Sequence, residues 1–350
     1  GKEAYLLHGY LNTPKLLELA LNDGVDPASG KRIGPATGEP RDFADLEGLY
    51  AAFERQLAHA VEVKVAVSNW LDRMYAAWTP APFLSALVAD CIGRGRDYYD
   101  GGARYNTDYL QCCGLGTMTD SLSAIRTHVY DRRDISWDEL LGALRDDWAG
   151  KEALRQRLAN LTPRFGNDDD VADDIAQRVF GSLLKAIDGR PSPRGGTWRV
   201  DFLSTTCHVY FGKRTGATPD GRHAGLPISD GASPCQGADR HGPTAVMNSL
   251  GKLGHARTGG TLLNMRFLPA ALAEEESLGK LAALVRGYFR QGGHHVQFNV
   301  VDEATLRAAQ ARPENHRDLL VRVAGYSDYF VDLDRNHQEE IISRTAQEGF

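Results

Sequence analysis

Two adjacent pairs of residues carry the side chains most capable of chemistry. Cys112-Cys113 sits in the run Leu110-Gln111-Cys112-Cys113-Gly114-Leu115-Gly116. Neighbours on a strand point to opposite faces, so the two sulfurs cannot serve one ligand. Apolar surroundings and no adjacent base favour inert buried thiols over a nucleophile. His294-His295 meets the same objection as a metal site, and no H-E-x-x-H or His/Cys set at ligand spacing supports it. Asp168-Asp169-Asp170 precedes a helical pattern, where carboxylates complement the helix dipole, and reads as a solvated helix start. Lys213, Arg214, Arg222 and Arg257 flank Gly-rich turns as anchors of packed loops or as contacts for an anionic substrate. No glycine run forms a phosphate loop or a dinucleotide fingerprint.

A glycine is the remaining candidate. Gly325 interrupts the β-rich, aromatic run Leu320-Val321-Arg322-Val323-Ala324-Gly325-Tyr326-Ser327-Asp328-Tyr329-Phe330, where a glycine weakens a strand. A bulge or tight bend explains it. So does chemistry at the α-carbon, where a radical is uncrowded by any Cβ and lies between an amide donor and a carbonyl acceptor.

The elements that position these residues alternate. Helices are expected at Asn12–Asn22, after an Asn-Thr-Pro entry, and along Asp45–Tyr75 as one long helix or two in series. An ordered turn-rich loop over Asp23–Arg41 separates them. Residues 1–11 read as a loop running into the first helix. Strands are expected at Tyr105–Leu115, Phe202–Gly212, Leu262–Phe267, His295–Val301 and Leu320–Tyr326. Helices are expected at Thr119–Val129, Trp137–Trp148, Glu152–Asn160, Asp170–Ile187, Leu278–Phe289, Glu303–Arg312 and Gln338–Thr345. This alternation predicts an α/β architecture with parallel strands. Glycine pairs at 101–102, 259–260 and 292–293 imply close backbone approaches at strand ends.

Composition removes other classes. Forty basic against 46 acidic residues give a net charge of −6, so nothing favours binding nucleic acid. No apolar run reaches the roughly 18 residues of a membrane span, and no signal-peptide pattern is present. Five cysteines without a C-x-x-C pair suit reduced thiols and a cytoplasmic location.

The segment Arg322-Val323-Ala324-Gly325-Tyr326 resembles the radical loop of the glycyl radical enzymes, the superfamily of pyruvate formate-lyase and its dehydratase and decarboxylase relatives. Other stretches are similar to that family in the same order. They are Gly102-Ala103-Arg104-Tyr105-Asn106, then Gly116-Thr117-Met118-Thr119-Asp120-Ser121-Leu122, Thr215-Gly216-Ala217-Thr218-Pro219-Asp220-Gly221-Arg222, Ser233-Pro234 with Gly237-Ala238-Asp239, and Gly242-Pro243-Thr244-Ala245.

The resemblance implies a ten-stranded α/β barrel of two five-stranded halves, in which one finger loop carries the radical glycine and the other a catalytic cysteine. It implies Gly325 as the glycyl radical site. The radical would be installed by a separate activase that carries an iron–sulfur cluster and uses S-adenosylmethionine. In the dehydratase and decarboxylase branches the cysteine loop reads Gly-Cys-Val-Glu, and the stretch after it resembles Gly1-Lys2-Glu3-Ala4-Tyr5 to Tyr10. The expectation is therefore the C-terminal half of the barrel, without the cysteine and its partner glutamate, inactive by itself. Residues 1–220 would be barrel and 221–350 a glycine radical domain.

Thr205-Thr206-Cys207-His208-Val209-Tyr210-Phe211-Gly212 is most similar to the hydroxyproline-dehydratase and arylacetate-decarboxylase group. A trans-4-hydroxy-L-proline-type dehydratase leads. An arylacetate decarboxylase, a pyruvate formate-lyase-like acyltransferase, a non-catalytic radical-bearing subunit and a truncated inactive fragment stay open. Tyr10 is a substrate-contact position by resemblance, and His208 or His295 a candidate acid. Expected partners are the activase, the N-terminal half, a small-molecule substrate and, for the complete enzyme, a second copy in a homodimer. Unpaired edges of a half-barrel would make the isolated chain oligomeric or prone to aggregate.

Overall fold

The computed structural model describes all 350 residues. Five parallel strands form its frame. The first, β1 (Glu3–Asn12), pairs with β2 (Tyr105–Cys113), and β2 with β3 (Thr197–Asp201). Beyond β3 the ladder continues through a parallel bridge between Phe202 and Thr261 into β4 (Leu262–Phe267), which pairs with β5 (His295–Val300). Every crossover between these strands carries helix, as parallel pairing requires.

The helices cover one face. Asn12 caps α1 (Thr13–Ala20) through its side chain, and Pro14 takes a first-turn position where no N–H is needed. The 33-residue α2 (Leu46–Trp78) is capped by Asp45 and buries Leu49, Phe53, Leu57, Val61 and Val65 at helical spacing. Each such side chain contributes about 1.5–3 kcal/mol on burial. With α3 (Leu115–Ala124) and α4 (Asp170–Ile187), α2 encloses a core of 47 buried residues that includes Leu110, Cys112, Trp198, Val200, Leu263, Met265 and Phe267. Those strand residues alternate with Tyr109, Gln111, Asp201, Asn264 and Arg266, so the opposite face of the sheet is polar.

A second, smaller core of eight residues lies at the C-terminal end. It joins α7 (Glu303–Ala311), the antiparallel hairpin β6 (Leu320–Arg322) and β7 (Ser327–Tyr329), and α8 (Arg335–Ser343). α5 (Gly242–Gly251) and α6 (Glu275–Arg290) add Val246, Met247, Leu250 and Tyr288 to the large core, and β8 (Ala346–Gln347) pairs with the end of β4.

Four expectations change. Residues 3–12 form a strand and not a loop; Gly9, at φ +113, shifts the register between Leu7 and Tyr10 and breaks the alternation that would have marked it. The strand expected at 202–212 lies upstream at 197–201, and Cys207–Gly212 is a short helix. Its β-branched and aromatic residues gave a misleading propensity that helix packing overrides. The strand expected over 320–326 is a hairpin, with Gly325 near its turn. The helix expected from Thr119 begins at Leu115 and passes into a π-helical segment at Ile125–Asp131.

Asp168-Asp169-Asp170 is more than a solvated helix start. Asp169 caps α4, and Lys252 pairs with Asp168, Asp170 and Asp173 at 2.9, 2.9 and 2.6 Å. No helix is long and apolar enough to cross a membrane.

Candidate functional site

Gly325 lies over the polar face of the sheet. Its φ of +87° is one that L side chains rarely adopt, and a Cβ there would fall 2.9 Å from Leu203 Cδ1. The conformation calls for glycine, and the movable end of the Leu203 side chain would have to give way to a Cβ. Val323 and Ala324 are fully buried, whereas Gly325 and Tyr326 are exposed to solvent. The turn closes with a hydrogen bond from Val323 N–H to Tyr326 O at 2.9 Å.

Polar side chains hold the hairpin onto the sheet. On β5, Val296 and Phe298 pack on the helix-side core, and His295, Gln297 and Asn299 take the other face. Gln297 Oε1 accepts from Gly325 N–H at 3.3 Å and from the Arg322 guanidinium at 2.7 and 3.1 Å. Asn299 accepts from Arg322 N–H at 2.7 Å and donates to Arg322 O at 2.8 Å.

From behind, Arg344 donates to the carbonyls of Arg322 and Val323 at 3.2 and 2.8 Å. Its charge is answered by Glu340 at 2.8 Å and Asp230 at 3.6 Å. This pair is deeply buried, yet Glu340 is held well below the usual carboxylate range, because Arg344 and then His208 outweigh the cost of burial.

The sequence candidates divide around this loop. Tyr10 is on the polar face, and its hydroxyl shares a 2.8 Å hydrogen bond with Thr205, while burial raises its pKa. Leu203 packs on Gly325 and Thr205 meets Tyr10, so the segment 203–205 links the two positions. His208 is fully buried, with Ser204 Oγ at 3.1 Å from Nδ1 and Glu340 at 3.4 Å from Nε2. It supports the hairpin's anchor and does not face the open surface. His295 is half-buried; burial lowers its pKa, and Arg322 and His294 add to the effect. Cys112 and Cys113 do diverge, and burial pushes both thiols up, Cys113 well above the ordinary value. Arg222 is a loop anchor that donates to the carbonyls of Thr215, Gly216, His223 and Leu226.

Sequence reasoning passed over the residues that hold Gly325. The signal was there in His295-Val296-Gln297-Phe298-Asn299-Val300, where polar residues recur at period two and mark a polar strand face. Tyr5 and Asp201 are a second omission on that face: the phenol donates to the Asp201 carboxylate, Tyr5 stacks on Tyr109 at 3.9 Å, and burial raises both pKa values.

Two other clusters of acids are internally compensated. Asp72 and Asp108 pair with both His8 and Arg194, and Asp120 and Asp220 flank Arg164 beside Cys235.

Fold and site together define an α/β protein whose parallel sheet carries, on its polar face, a hairpin that turns at a left-handed glycine. The description "Pyruvate formate lyase-like" matches residues 1–212 and "Glycine radical" matches residues 228–331. The chain belongs to the pyruvate formate lyase-like family and carries its glycine radical domain. It is 50% identical over 347 residues to trans-4-hydroxy-L-proline dehydratase of Clostridioides difficile, covering 99% of this chain and 44% of that protein. It is 38% identical to (2S)-3-sulfopropanediol dehydratase of Klebsiella oxytoca, covering 99% and 43%. The crystal structure of the C. difficile hydroxyproline dehydratase superposes with a TM-score of 0.97 over 99% of this chain and 44% of the other. The chain thus spans less than half the length of these relatives.

Proposed function

We propose that this chain is the radical-storing portion of a glycyl radical lyase, with Gly325 as the radical site. The observation that carries this reading is the Gly325 hairpin: a left-handed glycine packed against Leu203, its amide held by Gln297. A radical S-adenosylmethionine activase removes one hydrogen atom from the Gly325 α-carbon. The stored radical then takes a hydrogen atom from a cysteine thiol outside these 350 residues, and the thiyl takes one from the substrate. The five parallel strands are one half of the barrel, residues 1–220 belong to it, and residues 221–350 form the radical domain. Gly325 is exposed here, and the other half would cover it and exclude water and oxygen.

The reaction is dehydration of a small hydroxylated substrate of the trans-4-hydroxy-L-proline type, with C–O cleavage following hydrogen abstraction. Its support is the 50% identity to a dehydratase of that substrate, with a second dehydratase also among the relatives. Tyr10, with Thr205, contacts the substrate on the polar face, and half-buried His295 is available to exchange a proton there.

The test is anaerobic activation of the complete protein. A doublet radical signal is expected, with cleavage in air at Gly325 releasing a fragment that begins near Tyr326, and turnover of trans-4-hydroxy-L-proline. Turnover of an arylacetate in its place would move the assignment to decarboxylation; a chain that gives no radical signal and survives air intact would end it.

A further inference from the structure

We propose that Gln297 is the positioning residue of the radical glycine: its side-chain oxygen fixes the Gly325 amide and so sets how far an unpaired electron on the α-carbon spreads into that amide. The inference rests on Gly325 being the radical site. Gln297 is itself held firmly. It is 5% exposed, within β5, and its Nε2 donates to Asn264, which donates in turn to Asp230. Arg322 carries donors only, so the group facing it must be the Gln297 oxygen. That settles the orientation of the amide. The oxygen facing Arg322 at 2.7 and 3.1 Å is therefore the atom that accepts from Gly325 N–H at 3.3 Å.

A glycine without such a partner samples a wide range of φ. Delocalisation from an α-carbon radical into the flanking amide requires that the nitrogen lone pair be parallel to the half-filled orbital, which needs φ near 0° or 180°; at the φ of +87° held here the two are nearly perpendicular, and rotation about N–Cα would bring them into line. A hydrogen bond to Gly325 N–H from a side chain on the sheet limits the rotation. It acts where no side chain of Gly325 itself could. Asn299 and Arg344 hold the adjacent Arg322 and Val323 backbone, but neither bonds to Gly325. Gln297 alone connects the sheet by hydrogen bonds both to the reacting residue and to the guanidinium of Arg322 on the same hairpin.

The experiment compares the complete protein with Gln297→Leu, Gln297→Asn and Gln297→Glu after identical anaerobic activation. Leu keeps the volume and loses the acceptor; Asn keeps an amide but withdraws it by one methylene; Glu keeps an acceptor and its pairing with Arg322. The readouts are electron paramagnetic resonance with proton couplings recorded in H2O and D2O, and the anaerobic decay of the signal. Parent and Gln297→Glu are expected to show one exchangeable coupling from the bonded N–H. Leu and Asn are expected to shift or lose that coupling as the freed amide rotates toward alignment, and their signals to decay about fivefold more slowly, the factor that one neutral hydrogen bond represents. Leu and Asn spectra and decays that match the parent, with the doublet still abolished by Gly325→Ala, would overturn the role of Gln297 and leave the radical site standing. A parent without a doublet, or a doublet that survives Gly325→Ala, would overturn the radical site and this inference with it.

Discussion

The large core and the C-terminal hairpin are held by different forces. Around β1–β4, 47 buried residues pack between the sheet and its helices, and the aromatic pair Phe180–Phe202 stacks at 4.7 Å. Around Gly325 the apolar core has eight residues, and directed polar bonds from Gln297, Asn299 and Arg344 do the remaining work. Apolar packing is strong but non-directional, so it secures the frame; hydrogen bonds are weak in net terms but fix an orientation. The difference implies that the hairpin can be loosened without unfolding the frame, whereas damage to the frame takes the hairpin with it.

Four measurements break or sharpen this contrast. The largest effect is functional. Gly325→Ala should abolish the doublet signal and the cleavage in air, while the denaturation midpoint falls only slightly, by the roughly 1–2 kcal/mol that a left-handed alanine costs. A retained doublet would refute the assignment. Phe202→Ala, fully buried at the junction of β3 and β4, should lower global stability by about 3–5 kcal/mol in urea unfolding. A loss under 1 kcal/mol would mean that packing is not what secures the frame.

Third is the frame's own polar weakness. Burial raises the Asp120 carboxyl to about 6, despite Arg164 at 2.8 Å. The folded state therefore keeps its proton to higher pH than the unfolded chain, and this contribution favours folding at low pH. It is lost as pH rises from about 4 to 6 and is constant above that, roughly 3 kcal/mol in all. Asp120→Asn should remove that segment of the pH profile, and an unchanged slope in denaturation between pH 4 and 6 would contradict it. Smallest is Glu340→Gln, which takes the charged partner from Arg344. About 2 kcal/mol of protection should go from the hairpin amides, Val323 and Phe330 among them, in hydrogen exchange, with α2 unaffected. Equal loss in α2 would show that hairpin and frame are one cooperative unit.

Much of this was legible in the residue order. Glu152–Asn160, Asp170–Ile187 and Leu262–Phe267 lie where periodicity puts them, because each has one apolar face and clear stop signals. β1 was hidden because Leu6 and Leu7 lie on opposite faces and Gly9 shifts the register, so no period-two pattern survives. Helix 207–212 was hidden because one and a half turns leave too little sequence to outweigh strand-like composition. Gly325 drew attention by interrupting a strand pattern. Its anchors escaped because they lie 28 residues before it and 19 after, and only the fold brings Gln297 and Arg344 to the same loop.

The parallel order of the sheet also has a consequence during synthesis. Glu3 pairs with Tyr105, so β1 leaves the ribosome about 100 residues before its neighbour can join it. At roughly 5–20 residues per second that is an interval of about 5–20 s, in which a strand bearing Tyr5, Leu6, Leu7 and Leu11 has no neighbour from β2. Strands left unpaired for seconds are sites of edge-to-edge association. Nascent chains should therefore depend on chaperone cover most strongly between the emergence of residue 12 and residue 113, and much less once β2 has closed this pair.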